Sequence, residues 1–432
     1  MILETDDQTL EDLRIFSKRD APGIFDLYNN THTRGGEELL RDMFRQPLSD
    51  AKAIRRRAAI LAGFAGSQLS FPFDGALFDM AEKYIRNRPE AGGGLKQDLG
   101  EKDVQNGVAS IIRLLHEVRD FMGTAAMQQA TAYEHEREAA LLILKDSVFE
   151  PVFKEKPGNK IAFAAQAAFD QLFRNKVYDK IEQILEYVYR LDLYLSVAQL
   201  ASKRGFVFPE VFEKGSKLLQ VQGLYHPELK HPVANDVAME NNNSLVFLTG
   251  ANMAGKSTFL RAISTAVYIA HMGFPVAATQ MRFSVMDGIY TTINLPDNLG
   301  IGASHFYAEV LRVKKIATEL NRGKLLFVIF DELFRGTNVK DAYEATVAVS
   351  RSFARKTTCR FIISSHIVEA AEELQQQPEI DFFFLPTRMN GITPEYTYTL
   401  ERGVTADRHG MIIIKNEGIL EILHNGRKRA VS

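Results

Sequence analysis

Apolar positions follow two regimes along the chain. Up to about residue 200 they recur with helical spacing, and strand-like alternation is scarce. In the clearest stretch Val177, Ile181, Ile184, Val188, Leu191, Leu195 and Ala198 are separated by alternating steps of four and three. That spacing predicts a helix over about Lys176–Leu200 with a narrow seam of coiled-coil type. Val104, Val108, Ile111, Leu115, Val118 and Met122 predict a second amphipathic helix. Ala91-Gly-Gly-Gly94 reads as a loop and Lys156-Pro-Gly158 as another break. From about Leu224 short β-branched and aromatic runs take over, separated by helical patterns such as Phe306, Val310, Val313, Ala317 and Leu320. Leu245–Thr249, Leu325–Phe330 and Phe361–Ser364 suit buried strands of a parallel sheet, with Phe382–Leu385 and Tyr396–Leu400 as added strands. Strand and helix in alternation predict a doubly wound α/β domain. The whole reads as an α+β multidomain protein, with an all-α domain over 1–215 and an α/β domain over 216–432.

A chain of 432 residues exceeds what one core usually organises, which agrees with more than one domain. Its hydrophobic fraction of 46% and charged fraction of 25% are ordinary for a globular protein. A net charge of −2 argues against a broadly basic groove, so any nucleic-acid contact has to come from a local patch. Arg55-Arg-Arg57 and Arg427-Lys-Arg429 are basic runs, for which solvated charge is the simpler reading. The single cysteine, Cys359, excludes an intramolecular disulfide and reads as a buried residue beside a strand. The N-terminus lacks a basic segment followed by an apolar one, and no apolar run approaches the roughly 20 residues of a membrane span. A cytoplasmic location without a membrane partner is the expectation.

Gly250-Ala-Asn-Met-Ala-Gly255-Lys256-Ser257 fits the phosphate-loop pattern, after an apolar strand and before a helix expected over about Lys256–His271. The glycines let backbone N–H groups turn toward phosphates, and the helix points its positive end at the anion. Lys256 suits the β- and γ-phosphates, and Ser257 suits magnesium. Leu325–Phe330 then delivers Asp331 and Glu332 about 75 residues later. Asp331 can hold magnesium through water, and Glu332 can polarise an attacking water. His366 follows the third strand, where it can sense the γ-phosphate. These residues point to ATP and Mg2+ as ligands and to ATP hydrolysis.

Read together, the motifs resemble the MutS family of DNA mismatch-repair ATPases. Thr249–Thr258 looks like that family's phosphate loop, including the internal Asn252-Met253, so the resemblance assigns Gly250, Ala251, Asn252, Met253, Ala254, Gly255, Lys256, Ser257 and Thr258 to the nucleotide. Asp331–Thr337 is similar to its acidic motif running into Arg-Gly-Thr. Gly302–Glu309 looks like the segment whose serine, here Ser304, reaches the nucleotide of the partner subunit. Thr9–Phe16, Thr33–Leu40 and Gln46-Pro-Leu48 resemble the start of the family's helical core, and Leu191–Pro209 its end. The resemblance implies a helical lever joined to a P-loop ATPase domain of the ABC-like type. It further implies a homodimer with composite ATP sites, DNA as a partner, and repair-pathway proteins as further partners.

Departures narrow that expectation. The chain starts at the core, so a mismatch-reading domain with its Phe-x-Glu wedge and a connector are not expected. Phe208-Pro-Glu210 matches the wedge letters by chance, at the wrong end of the core. Between about 122 and 176 helical patterns and breaks replace the strand-rich DNA clamp. Ala251 and Ala254 stand where the family has Pro and Gly, and are tolerated if their backbone angles are negative. Pro232 stands where an aromatic lies under the adenine, and Thr292 where the family has an arginine. Neither a long C-terminal oligomerisation tail nor a nuclease domain is expected. The competing readings are an ATP-dependent switch for protein partners that never touches nucleic acid, and an ATPase of the transporter or chromosome-maintenance type. The latter needs a Leu-Ser-Gly-Gly-type segment that the sequence lacks.

Overall fold

A computed structural model describes residues 1–18, 21–67, 69–87, 99–159, 161–293, 305–390, 393–405, 418–420 and 422–423. Ala91–Gly94, Ser304 and Arg427–Arg429 lie outside these residues. Two compact units interleave along the chain. One comprises Phe25–Gln46 and Arg56–Gly205, the other Met1–Ile24, Pro47–Arg55 and Phe206–Ser432. The last helix before the strands ends at Arg204, and the first strand begins at Glu210.

In the first unit the expected helices run over Glu101–Met122 and Tyr178–Arg204. The seam residues Ile181, Ile184, Val188, Leu191 and Leu195 are buried. Between Glu101 and Arg204 every described element is helical, and Gly158 breaks the chain at φ +86° as the Lys156-Pro-Gly158 pattern anticipates. One carboxylate organises the unit's polar interior. Asp192, fully buried, accepts from Thr33 N at 2.8 Å, Thr33 Oγ1 at 2.8 Å and His32 N at 2.9 Å. Thr33 in turn caps the helix Arg34–Arg45 by accepting from Gly36 N. The glycine pair is a requirement of close approach. A Cβ on Gly35 would sit 2.5 Å from the Tyr189 ring, and one on Gly36 would sit 2.7 Å from Asp192 Oδ2.

The second unit carries the strands. In chain order they are β1 (Glu210–Phe212), β2 (Leu218–Leu224), β3 (Asn235–Glu240), β4 (Leu245–Gly250), β5 (Gln280–Ser284), β6 (Gly288–Thr292), β7 (Leu326–Phe330), β8 (Arg360–Ser364), β9 (Ile380–Leu385), β10 (Thr387–Asn390), β11 (Thr393–Tyr396) and β12 (Glu401–Arg402). The main sheet has the order β12-β9-β4-β8-β7-β6. All its pairings are parallel except β12 with β9. Strands β4, β6, β7 and β8 are buried at every position, because helices cover both faces of a parallel sheet. Phe353, from the helix Val339–Ala354, stacks on Phe330 and Phe361 and seals one of those faces. A smaller sheet, β1-β5-β2-β3, and the hairpin β10–β11 complete the unit. Cys359 is buried next to the start of β8, and burial pushes its thiol up.

Two expectations change. Of the expected strand Tyr396–Leu400, only Tyr396 is in a strand, as the last residue of β11, and Thr397–Leu400 is not. Tyr398 takes φ +55°, and Asn235 pins the segment by donating to Tyr398 O at 3.0 Å and accepting from Leu400 N at 2.5 Å. Residues 2–4, which read as part of a helical domain, are extended instead, with Ile2 bridging Leu48 and Glu4 bridging Gly288 at the edge of the main sheet. Glu4 N donates to Asp287 O at 2.8 Å, and Ile289 N donates to Glu4 O at 2.9 Å. No described helix is long and apolar enough to cross a membrane.

Candidate nucleotide site

Strand β4 ends at Gly250, and the helix Lys256–His271 starts six residues on. The turn between them needs left-handed backbone at both glycines, φ +149° at Gly250 and +102° at Gly255. A Cβ at Gly255 would also meet the Tyr398 ring at 3.0 Å. Ala251 and Ala254 are not among the residues with positive φ, so they fit as anticipated. Met253 takes the third left-handed position at φ +68°, which costs a side-chain-bearing residue about 1–2 kcal/mol. The helix N-terminus faces the loop, an arrangement suited to an anion.

Lys256 is the loop's buried cation. Its Nζ donates to Gly250 O at 2.9 Å and Ala251 O at 3.1 Å, tying the two sides of the loop together. Burial lowers its pKa, while the nearby Asp331 and Glu332 charges oppose that change. Ser257 Oγ donates to Asp331 Oδ2 at 2.5 Å, and Ser364 Oγ donates to the other Asp331 oxygen. The same Ser364 oxygen accepts from Glu332 N at 3.0 Å. One serine at the end of β8 thus spaces both acidic residues at the end of β7.

Glu332 sits at φ +56°, aimed back across the sheet. Its carboxylate meets His366 Nε2 at 2.7 Å and Arg335 Nη1 at 3.0 Å. The His366 hydrogen bond, aided by Arg335 and opposed by burial, holds the carboxyl at about 2. Lys256 Nζ lies 3.5 Å from the same His366 nitrogen. A ring N–H committed to Glu332 has no lone pair left for Lys256, so that contact is proximity and not a bond.

The Ser257 hydroxyl and the Asp331 carboxylate together form an oxygen donor set that fits Mg2+. Among the described residues no three His, Cys, Asp or Glu side chains converge as a metal cage. Mg2+ at a phosphate site does not need one, because water and phosphate supply its remaining ligands. Beside the loop a cavity of about 300 Å³ opens between Gly255, Thr258, Phe259, Tyr225, His231 and Tyr398. Its volume and its apolar and aromatic walls suit a flat ring attached to a phosphate chain. Tyr398 and Ser364 are the site residues that sequence reasoning missed. Tyr398 stood inside an expected strand, and Ser364 closed one. Met253 is exposed at the loop tip, and Asn252 is exposed beside it. Of the basic runs, Arg55 is engaged by Val211 O at 2.9 Å and by Glu213, and Arg56 by Glu136.

Residues 246–430 match the family described as MutS domain V, and residues 8–198 the one described as MutS domain III. The chain belongs to the MutS family. It is similar to a DNA mismatch repair protein MutS of Persephonella marina, 28% identical over 247 residues, 56% of this chain and 28% of that protein. It is similar also to MutS of Fusobacterium nucleatum, 25% identical over 257 residues, 58% of this chain and 28% of that one. The DNA mismatch repair protein MSH7 of Arabidopsis thaliana aligns over 440 positions at 25% identity, 88% of this chain and 39% of MSH7. The chain therefore spans between a quarter and two fifths of the length of these curated relatives. The domain V match contains the loop, Asp331, Glu332 and His366, and the domain III match contains the Asp192 and Thr33-Arg-Gly-Gly36 arrangement.

Proposed function

We propose that this MutS-family chain is a Mg2+-dependent ATPase that works as a homodimer on DNA, in mismatch repair or a related processing of DNA structure. The observation that carries the reading is the convergence of Lys256, Ser257, Asp331, Glu332 and His366 at the carboxyl ends of β4, β7 and β8. The domain is of the ABC-like P-loop type in this reading, and 1–215 acts as the lever with 216–432 as the motor. Ser304 completes the nucleotide site of the partner, and the protein is cytoplasmic.

Residues 250–258 bind the triphosphate, with Lys256 leaving its two carbonyl partners to meet the phosphates. Ser257 and Asp331 hold Mg2+, which when bound offsets the charge of the phosphate oxygens. Glu332 orients the attacking water. Held at about 2, it is far from the near-neutral pKa of an efficient proton acceptor, so its first contribution is a directed hydrogen bond. His366 fixes the Glu332 carboxylate and lies beside Lys256, where it can register the terminal phosphate. Tyr398 and its neighbours receive the base in place of the aromatic that Pro232 does not supply.

Steady-state ATP hydrolysis, alone and with homoduplex, mismatched and branched DNA, tests this. Stimulation or suppression by one DNA form, abolished in Lys256→Ala, is the expected result. Two observations favour a second reading, a switch for protein partners. The net charge is −2, and every described element between Glu101 and Arg204 is helical. Hydrolysis indifferent to every DNA, with no salt-dependent DNA binding, decides for that switch.

A further inference from the structure

Thr292, the residue that stands where the family has an arginine, closes β6 beside the acidic end of β7. Its carbonyl accepts Asp331 N at 2.9 Å, so the backbone of Asp331 hangs on the last residue of β6. Thr292 is gripped in turn. Arg312, from the helix His305–Asn321, donates through Nε to Thr292 Oγ1 at 3.2 Å and through Nη2 to Thr291 O at 2.7 Å. Its guanidinium is buried and lies 5.6 Å from the centre of the Tyr290 ring.

The N-terminal segment supplies the counter-charge. Asp6 accepts from Arg312 Nη2 at 3.1 Å, from Nη1, and from Lys315 Nζ at 2.5 Å. Burial opposes ionisation of Asp6, but the Arg312 bonds and charge outweigh it and hold the carboxyl far below its ordinary range. Asp12, buried six residues further on, accepts from Thr291 Oγ1 at 2.8 Å and Ile293 N at 2.9 Å. Thr9 Oγ1 accepts from Thr291 N at 3.0 Å. The carboxyl end of β6 is thus fixed by two carboxylates of the N-terminal segment and one guanidinium, at a strand end where Thr292 itself brings no charge.

We propose that Asp6, Asp12 and Arg312 are positioning residues for the metal-holding carboxylate of Asp331, acting through Thr291 and Thr292. The proposal rests on the reading of Asp331 as a Mg2+ ligand. The Arg312, Asp6 and Asp12 bonds in this relay involve an ionised group, and they end in the backbone bond that Asp331 N makes to Thr292 O. Loosening Asp6 or Arg312 therefore lets the β6 end shift, and Asp331 N follows it. Metal affinity falls even though none of the altered residues touches the metal.

The test is Mn2+ binding, followed by electron paramagnetic resonance, to the full chain loaded with a non-hydrolysable ATP analogue. Asp331→Asn is the control. Asp6→Asn and Arg312→Ala are expected to weaken Mn2+ by on the order of tenfold, the low end for outer-shell partners of a metal ligand. Arg312→Lys, which keeps the charge and loses the fork, falls between Arg312→Ala and the unaltered protein. Metal-free binding of the analogue, measured in EDTA, stays unchanged, as a merely unfolded or loosened site would not allow. Circular dichroism screens for folding, and if Arg312→Ala is unfolded the isosteric Asp6→Asn carries the test. Asp331→Asn without effect on Mn2+ would remove the metal reading itself. Asp331→Asn with a large effect, and Asp6→Asn and Arg312→Lys both binding Mn2+ as the unaltered protein does, would overturn the positioning proposal alone.

Discussion

Replacing Glu332 by glutamine removes a charge and almost no volume, so its effects separate chemistry from packing. In the folded protein the carboxylate accepts from His366 at 2.7 Å and Arg335 at 3.0 Å and is held at about 2, against an ordinary 4.5. That difference corresponds to at most ~3 kcal/mol in favour of the ionised form. Glu332 is partly open to water, and screening reduces the figure to about 1–2 kcal/mol. A depressed carboxyl contributes stability that is complete above pH 4.5 and is lost as pH falls through about 2. The unaltered protein should therefore exceed Glu332→Gln in stability by about 1–2 kcal/mol near neutrality, and the gap should close between pH 4.5 and about 2. Urea denaturation followed by circular dichroism at several pH values reads this directly. Catalysis should fall more steeply than stability. Loss of the group that directs water costs on the order of a hundredfold or more in turnover, while ATP binding persists. A variant that hydrolyses ATP at the normal rate, or a stability gap that stays constant down to acid pH, refutes the role assigned to this carboxylate.

Other outcomes follow from the same geometry. Lys256→Ala should abolish binding of a fluorescent ATP analogue, since the loop loses both its phosphate charge and the bonds from Lys256 to Gly250 O and Ala251 O. Tyr398→Ala should raise the KM for ATP by roughly tenfold, in line with the about 1–3 kcal/mol of a base–aromatic contact, and leave kcat near its original value. An unchanged KM would move the base elsewhere than the cavity beside Gly255. Gly35→Ala forces a methyl group to 2.5 Å from the Tyr189 ring, so the helical unit should lose about 1–3 kcal/mol in denaturation, with nucleotide binding intact.

Periodicity alone carried much of this architecture. The alternating steps of four and three from Val177 to Ala198 could only be a helix, because no strand buries residues at that interval. The apolar runs at Leu245, Leu325 and Phe361 were buried strands because each is short and apolar throughout. The phosphate loop, Asp331, Glu332 and His366 were legible for a related reason. A strand end, a tight glycine turn and a helix start are local events, and the residues that serve a phosphate sit on them in fixed order.

What joins distant segments was not readable in the same way. Ser364 bridges Asp331 and Glu332 only because β8 lies beside β7, and that order belongs to the sheet and not to the chain. Tyr398 lines the cavity because Asn235, far back in sequence, turns its segment out of extended form. Residues 2–12 carry no spacing that distinguishes them from the helical half. They join the second unit because Glu4 bridges Gly288 at the edge of the main sheet, and Asp6 and Asp12 meet a buried guanidinium and the end of β6. Local pattern determined the elements and the loop and strand-end positions of the candidate site, since backbone sterics and burial act over a few positions. Tertiary structure decided which of them cooperate, since hydrogen bonds between charged side chains depend on distance in space, for which a single sequence holds no period.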